Sequence, residues 1–326
     1  MAVIRLTGIF KEDIECFVEL KRKCGYKYIA EEKILYLFDK FTVDRNEHEN
    51  VISKELAREW SKQRPNESDA YRYKRCITLN QFAGYLSLHD RESATCYAPK
   101  PKKTFVPHIY TEDEMKLIFA TCDNMECTPV RSDSIRFVMP ALLRFLFSTG
   151  VRIGEALSLR KEDVKLDLRI AVLRDTKNGK ERLLPFSESM ENVLRQYIRH
   201  RDRLNPNPLC DKFFLSARGR ECSSEQIYKV FRKILSKTGI PFKGNHYGPR
   251  VHDFRHTFAV KSLLKMADSG MDIYCSLPIL STYLGHQSIE ATNNYVRLTV
   301  EMYPHLVQNV DAIFTNVYPS LRNEDN

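Results

Sequence analysis

The sequence contains no Cys-x-x-Cys pair, no long apolar run and no internal repeat. Its nine cysteines are scattered, so neither a zinc ribbon nor a thioredoxin-like redox site is indicated. Scattered thiols are typical of proteins from a reducing compartment. The chain becomes charged at Arg5, too early for a signal peptide, and no segment reaches the ~18 apolar residues that a membrane helix needs. We therefore expect a cytoplasmic protein with no membrane partner.

The excess of positive charge lies in the second part of the chain. Lysine and arginine total 51 against 42 acidic residues, which gives a net charge of +9. Residues 1–98 contain 17 basic and 16 acidic residues, whereas residues 99–326 contain 34 and 26. A regional basic excess suits a polyanionic partner such as nucleic acid, although many mildly basic proteins bind nothing charged.

The pattern of apolar residues predicts two domains of mainly α-helical structure. Phe10, Ile14, Phe17 and Val18 follow a helical period, and similar clusters continue to about residue 90. Three prolines within residues 99–107 exclude a helix interior there. We expect a helical domain over 1–98, a basic linker over 99–107 and a second domain over 108–326.

One segment of the second domain reads as β-structure. Residues 170–173 (IAVL) and 182–185 (RLLP) are short apolar runs on either side of Asn178-Gly179. An Asn-Gly pair between two such runs is a strong hairpin signal. The expected fold class is thus mainly α with a small antiparallel hairpin, and capping boxes at Thr111 and Ser223 mark two of the helix starts.

Two arginines occur where they could bind one phosphate. Arg152 follows Gly150 at the start of a helix, and Arg255 shares a helical face with His252. A guanidinium offers a planar pair of donors that matches two phosphate oxygens, and histidine carries protons near neutral pH. A simple intrahelical pair between Arg152 and Glu155 is the competing interpretation.

A possible nucleophile and two further donors complete the set. Tyr295 lies nine residues after His286. Lys177 lies at the predicted hairpin tip as a candidate proton donor to the leaving oxygen, and Lys180, across the turn, is the alternative candidate for that role. A phenol must lose its proton to attack phosphorus, which nearby arginines would favour. A buried tyrosine with a satisfied hydroxyl is nevertheless the ordinary role of this residue.

His256 has no assigned chemistry. His252 and His256 have the i, i+4 spacing of a zinc pair, but the glutamate of His-Glu-x-x-His is missing. We therefore expect His256 to be a packing or capping residue.

In these motifs the chain resembles the tyrosine recombinases, also called phage integrases. Residues 149–155 (TGVRIGE) look like the first arginine box of that family, and 252–259 (HDFRHTFA) look like the second. Residues 284–286 (LGH), Tyr295 and Lys177 complete the likeness, which covers about residues 105–300. Residues 10–90 resemble the family's helical core-binding domain only in outline.

The resemblance implies a fold, a reaction and a partner. Tyr295 would attack a phosphodiester of double-stranded DNA and form a 3′-phosphotyrosyl link, with no cofactor and no metal. Arg152, Arg255 and His286 would stabilise the phosphate, while His252 and Lys177 would move protons. The catalytic domain would clamp DNA together with the helical domain, and a homo-tetramer would pair two sites. We expect no additional arm-binding domain before residue 10, and hence a two-domain enzyme.

Two questions stay open at the level of sequence. A type IB topoisomerase shares this chemistry but reseals the same strand, and a DNA-binding protein without catalysis would need none of it. The apolar stripe from Tyr303 to Phe314 could dock on a neighbouring protomer or pack on its own domain.

Overall fold

The computed structural model describes residues 6–101, 106–126, 134–174, 181–204, 210–242, 244, 248–286, 292, 295, 298 and 299. The chain divides into two compact units, Met1–Thr104 and Phe105–Asn326. The division lies inside the segment 99–107, and the DNA-clamping and catalytic roles of the units stay predictions. Within the described ranges, none of the helices combines the length and the apolar character needed to cross a membrane.

The first unit is built of helices around an aromatic core. Its helices are α1 (Lys11–Lys23), α2 (Ile29–Asp44), α3 (Lys54–Ser61) and α4 (Asp69–Ser87). Phe10, Phe17, Phe38, Trp60 and Phe82 are all buried there. Aromatic rings at the predicted helical spacing therefore bring the four helices together.

Arg75 of α4 crosses this core. Its side chain is fully buried, and its Nε donates to Glu67 Oε1 at 2.9 Å. The guanidinium lies 4.8 Å from the Trp60 ring and also donates to the Trp60 carbonyl. This charge is tolerated in the core because carboxylate, carbonyl and ring face it together.

The second unit combines seven helices with a small sheet in its described part. The elements are α5 (Glu112–Asp123), α6 (Met139–Thr149), α7 (Ile153–Ser158), β1 (Val164–Lys165), β2 (Ile170–Leu173), β3 (Arg182–Pro185), α8 (Glu188–Leu204), α9 (Ser224–Thr238), α10 (Asp253–Asp268) and α11 (Ile273–Leu284). Two short 3-10 helices, Ser134–Phe137 and Lys161–Asp163, connect some of them. The mainly helical fold class is confirmed.

The sheet is antiparallel in the order β1-β2-β3. Strand β2 pairs with β3 from Ile170 opposite Pro185 to Leu173 opposite Arg182, so the predicted hairpin strands are confirmed. Strand β1 was not predicted, because two residues give no periodic signal. The capping boxes at Thr111 and Ser223 are confirmed by reciprocal hydrogen bonds.

Helix α10 packs against both α6 and α11. Helix α6 ends at Gly150, whose φ of +62° is left-handed, and the Phe258 ring of α10 occupies the space that a Cβ would need. Thr292, Tyr295, Leu298 and Thr299 have helical conformation. The apolar stripe from Tyr303 to Phe314 lies outside the described residues.

Candidate active site

Arg152 occupies the N-cap position of α7, as the sequence predicts. Its Nη1 donates to Glu155 Oε1 at 2.8 Å, and its backbone N–H donates to Glu155 Oε2 at 3.2 Å. The Arg152 side chain is 25% exposed, whereas that of Glu155 is only 7% exposed. The carboxylate thus holds one edge of a guanidinium that solvent can still reach.

Arg255 lies deep in α10 and is 3% exposed. Its Nη1 donates to the Gly150 carbonyl at 2.9 Å, and its Nη2 donates to the Leu284 carbonyl at 2.8 Å. Burial and the nearby charge of Arg152 lower the pKa of Arg255 to about 10. Arg255 therefore stays charged at neutral pH and joins the end of α6 to the end of α11.

His286 follows the left-handed Gly285, at which α11 has ended. Its Nδ1 lies 2.7 Å from Thr292 Oγ1. Burial, then the charges of Arg255 and Arg152, lower the pKa of His286 to about 4. The ring is therefore neutral at pH 7 in the free protein and lies within the field of both arginines.

Tyr295 is 4% exposed. Its ring stacks on His286 with centroids 6.0 Å apart and an interplanar angle of 19°. Burial raises the pKa of Tyr295, while the positive charges of Arg255 and Arg152 oppose that rise. The phenol thus meets the cations that favour its ionised form.

His252 and His256 lie on the same side of this group. Their ring centroids are 5.0 Å apart, and the His256 ring is 5.5 Å from that of Tyr295. Burial and nearby cations lower the pKa of His252 to about 4; burial, His252 and arginines lower that of His256 to about 3. His256 Nδ1 is buried and finds no hydrogen-bond partner among the described residues.

The structure brings together five of the six residues singled out from the sequence: Arg152, His252, Arg255, His286 and Tyr295. Lys177 and its rival Lys180 lie outside the described residues. The nearness of His256 to Tyr295 was missed, since helical spacing alone did not place Tyr295 beside α10. Arg182, which also binds Glu155, was missed because no motif in the sequence marks it.

Two guanidiniums, neutral imidazoles and a phenol form a site that suits a bound anion under attack by an oxygen nucleophile. Arginine forks bind non-bridging phosphate oxygens. The phenol of Tyr295 lies within the field of one of these arginines, Arg255. Among the described residues, no group of three histidine, cysteine, aspartate or glutamate side chains could hold a metal ion.

Comparison with known proteins gives a consistent match. The model of the phage integrase family matches residues 109–302. The protein y4rB of Sinorhizobium fredii, provisionally named an integrase/recombinase, is 28% identical over 307 residues, covering 93% of this chain and 97% of its own. Tyrosine recombinase XerC of Chlamydia pneumoniae is 28% identical over 235 residues, 70% of this chain and 68% of its own.

Solved structures share the fold. The Tn1549 transposon integrase in complex with transposon right end DNA has a TM-score of 0.62 at 16% identity, covering 89% of this chain and 98% of its own. The XerH recombinase bound to palindromic difH substrate has a TM-score of 0.60 at 20% identity, covering 82% and 74%. At these identities the likeness concerns the fold alone.

Proposed function

This chain belongs to the phage integrase family, the tyrosine recombinases, and from that premise we propose that Tyr295 is its nucleophile toward double-stranded DNA. Membership makes the chain a site-specific recombinase, an enzyme that cleaves and rejoins DNA strands. The observation that carries the assignment of Tyr295 is its placement: its side chain is buried, its ring stacks on His286, and the charges of Arg255 and Arg152 oppose the rise in its pKa.

In the proposed cleavage step, Tyr295 Oη forms a bond to phosphorus while the bond from phosphorus to the 5′ oxygen breaks. The products are a 3′-phosphotyrosyl link and a free 5′-hydroxyl. A 5′-hydroxyl from the partner duplex then attacks the link and releases Tyr295. The number of phosphoester bonds is conserved, so no external energy source is needed.

The phosphate is held by Arg152, Arg255 and His286 in this proposal. Arg152 retains an exposed edge that an entering phosphate can meet. Arg255 is already oriented by two carbonyls, so little reorganisation is needed when charge develops in the transition state. These donors act in a water-poor site, where each is worth more than in solution.

Protons pass through His252 and Lys177 in this scheme. The pKa of His252 is about 4 in the free protein, so the ring is neutral at pH 7 and able to accept a proton. An arriving anionic phosphate favours protonated histidine and raises that pKa toward the working pH. Lys177 would donate a proton to the leaving 5′ oxygen, as the family resemblance implies.

We also propose that the chain acts as a homo-tetramer on two paired sites, in the cytoplasm, and that it serves a mobile element. The solved relative from transposon Tn1549 supports the last point by analogy only. Pairing distinguishes the enzyme from a topoisomerase, which would relax supercoiled DNA without a second site. Native mass spectrometry of the chain with a two-site DNA would test the tetramer.

Trapping on a suicide substrate tests the nucleophile. A nick beside the scissile phosphate lets the 5′-hydroxyl fragment diffuse away, so the covalent adduct accumulates and its peptide can be mapped. We expect the adduct on Tyr295, and we expect Tyr295→Phe to bind the DNA without forming an adduct. Tyr283→Phe is the matched control, because Tyr283 lies close by with its hydroxyl on the Pro185 carbonyl at 3.2 Å. An adduct mapped to any other tyrosine would refute the assignment.

A further inference from the structure

Arg182 is the first residue of β3, where the chain re-enters the sheet opposite Leu173. The connection 174–181 that precedes it contains Lys177. The Arg182 side chain is only 14% exposed, so its guanidinium points into the unit rather than into solvent. A cationic side chain that is nearly buried needs partners that justify its desolvation.

Those partners come from two elements of the candidate active site. Arg182 Nη2 donates to Glu155 Oε2 at 2.8 Å, and Nη1 lies 3.4 Å from Glu155 Oε1. Its Nε donates to the Tyr283 carbonyl in the last turn of α11 at 3.2 Å. One planar group therefore joins β3, α7 and the end of α11.

Glu155 is shared between two arginines. The same carboxylate accepts from Arg152 Nη1 and from Arg182, and these partners hold the pKa of Glu155 below its usual value although burial raises it. Since two cations divide one carboxylate, neither is fully neutralised by it. Arg182 thereby limits how strongly Glu155 can draw Arg152 away from a phosphate.

Gly285 shows how closely Arg182 is fitted to the turn before His286. A Cβ built on Gly285 would lie 2.8 Å from Arg182 Nη1 and 3.0 Å from Cζ. The guanidinium thus lies close against the backbone at the residue that leads into His286. Arg182 and Arg255 hold two successive carbonyls, those of Tyr283 and Leu284.

We propose that Arg182 is a positioning residue for strand cleavage, which sets the orientation of Arg152 through Glu155 and of His286 through the turn at Gly285. The inference rests on the proposed function, because it concerns the two groups assigned to the phosphate. Arg182 itself contacts neither the phosphate nor the nucleophile in this scheme. Misplacement of two donors by a fraction of an ångström is sufficient to slow the reaction.

The first test compares variants of Arg182 in single-turnover adduct formation. Arg182→Met should slow cleavage about 10- to 100-fold with little change in DNA affinity. Arg182→Lys should recover part of the rate, because an ammonium can hold Glu155 but cannot also span to Tyr283. Arg195→Met is the matched control, since Arg195 also pairs with carboxylates but is 38% exposed on α8; its rate should stay within about threefold of the unsubstituted protein.

A purely structural role gives a different pattern. In that case DNA affinity and thermal midpoint would fall together with the rate, and Arg182→Lys would restore nothing; either this pattern or an unchanged rate in Arg182→Met overturns the proposal. A third possibility is that Arg182 acts on protonation of the leaving 5′ oxygen. A substrate with sulfur as the 5′ bridging atom tests this, because a thiolate leaves without a proton. The defect should persist on that substrate, and its disappearance would overturn the proposal by placing the effect on the leaving-group proton.

A double-mutant cycle tests the route through Glu155. If Arg182 acts through this carboxylate, Arg182→Met combined with Glu155→Gln should be no more than about threefold slower than the slower single variant. Rates that multiply would overturn the route. Mapping the adduct of the unsubstituted protein distinguishes failure of the proposed function from failure of the inference about Arg182. An adduct away from Tyr295 refutes the proposed function. An adduct on Tyr295 together with normal kinetics of Arg182→Met refutes only this inference.

Discussion

Arg255 donates a hydrogen bond of 2.8 Å to the backbone oxygen of Leu284, so a side chain assigned to the phosphate also closes α11. The other half of its guanidinium holds the Gly150 carbonyl at the end of α6. The fork that would bind phosphate is therefore oriented by the backbone rather than by a carboxylate. Its direction is set before DNA arrives, which is the condition for effective charge stabilisation.

Replacement of Arg255 by lysine should cost much of the activity. An ammonium on a flexible stem cannot hold two carbonyls and present a planar donor pair at the same time. We expect adduct formation by Arg255→Lys to fall about 10²- to 10³-fold, measured in single-turnover cleavage with DNA affinity determined in parallel. Lys261→Gln removes a charge from a side chain of α10 that is 31% exposed and pairs with Glu112, and it should change little. A rate near that of the unsubstituted protein in Arg255→Lys would contradict the assigned role.

The histidine cluster predicts a dependence of stability on pH. The pKa values of His252, His256 and His286 are about 4, 3 and 4 in the folded chain, below the value of about 6.5 for a free histidine. Between those limits the unfolded chain binds more protons than the folded chain, so stability falls as pH decreases from about 6.5 toward 4. The midpoint of urea unfolding should follow this direction and level off above pH 7.

His256→Phe checks the origin of that dependence. It keeps a ring beside Tyr295 but removes one suppressed protonation, so the loss of stability below pH 6.5 should become less steep. Substitution of the exposed His48 by glutamine serves as the control. If stability depended on pH in the same way in His256→Phe and in the unsubstituted protein, the histidine cluster would not be the origin of that dependence.

Motif spacing predicted the parts of the site that lie close together in sequence. Arg152 with Glu155, and His252 with Arg255, are separated by three residues, so local helix geometry was enough to place each pair. The hairpin strands followed from two apolar runs around Asn178-Gly179. Assembly of these pieces into one site rested on resemblance rather than on periodicity.

Other contacts could not be read in this way. Arg182 and Tyr283 are about a hundred positions apart, and their contact depends on how β3 packs beside α11. His256 lies next to Tyr295 only because the helical residues after His286 return to α10. Long-range packing of this kind leaves no local pattern in a single sequence.

Gly150 should be intolerant of a side chain. Its φ of +62° is unfavourable for alanine, and the added Cβ would overlap the Phe258 ring. The left-handed conformation alone costs about 1–2 kcal/mol, so Gly150→Ala should lower the free energy of unfolding by at least that amount. Gly154 lies within α7, where a Cβ meets no described atom within 4 Å. Gly154→Ala should instead raise the free energy of unfolding by about 0.5–1 kcal/mol. Urea unfolding measures both variants, and equal shifts in the two would contradict these expectations.

Arg75 offers a test of the first unit by itself. Arg75→Met leaves the carboxylate of Glu67, which is 4% exposed, without its buried cation; breaking such a pair costs about 3–5 kcal/mol. The chain has a single tryptophan, and Trp60 lies 4.8 Å from Arg75, so its fluorescence follows unfolding of this unit. The double variant Arg75→Met with Glu67→Met should recover part of the loss, because no lone charge is left buried. Lys23→Met breaks an exposed pair with Glu19 and should change stability by less than about 1 kcal/mol. If Arg75→Met shifted the fluorescence midpoint no further than Lys23→Met, the guanidinium would not be anchoring this core.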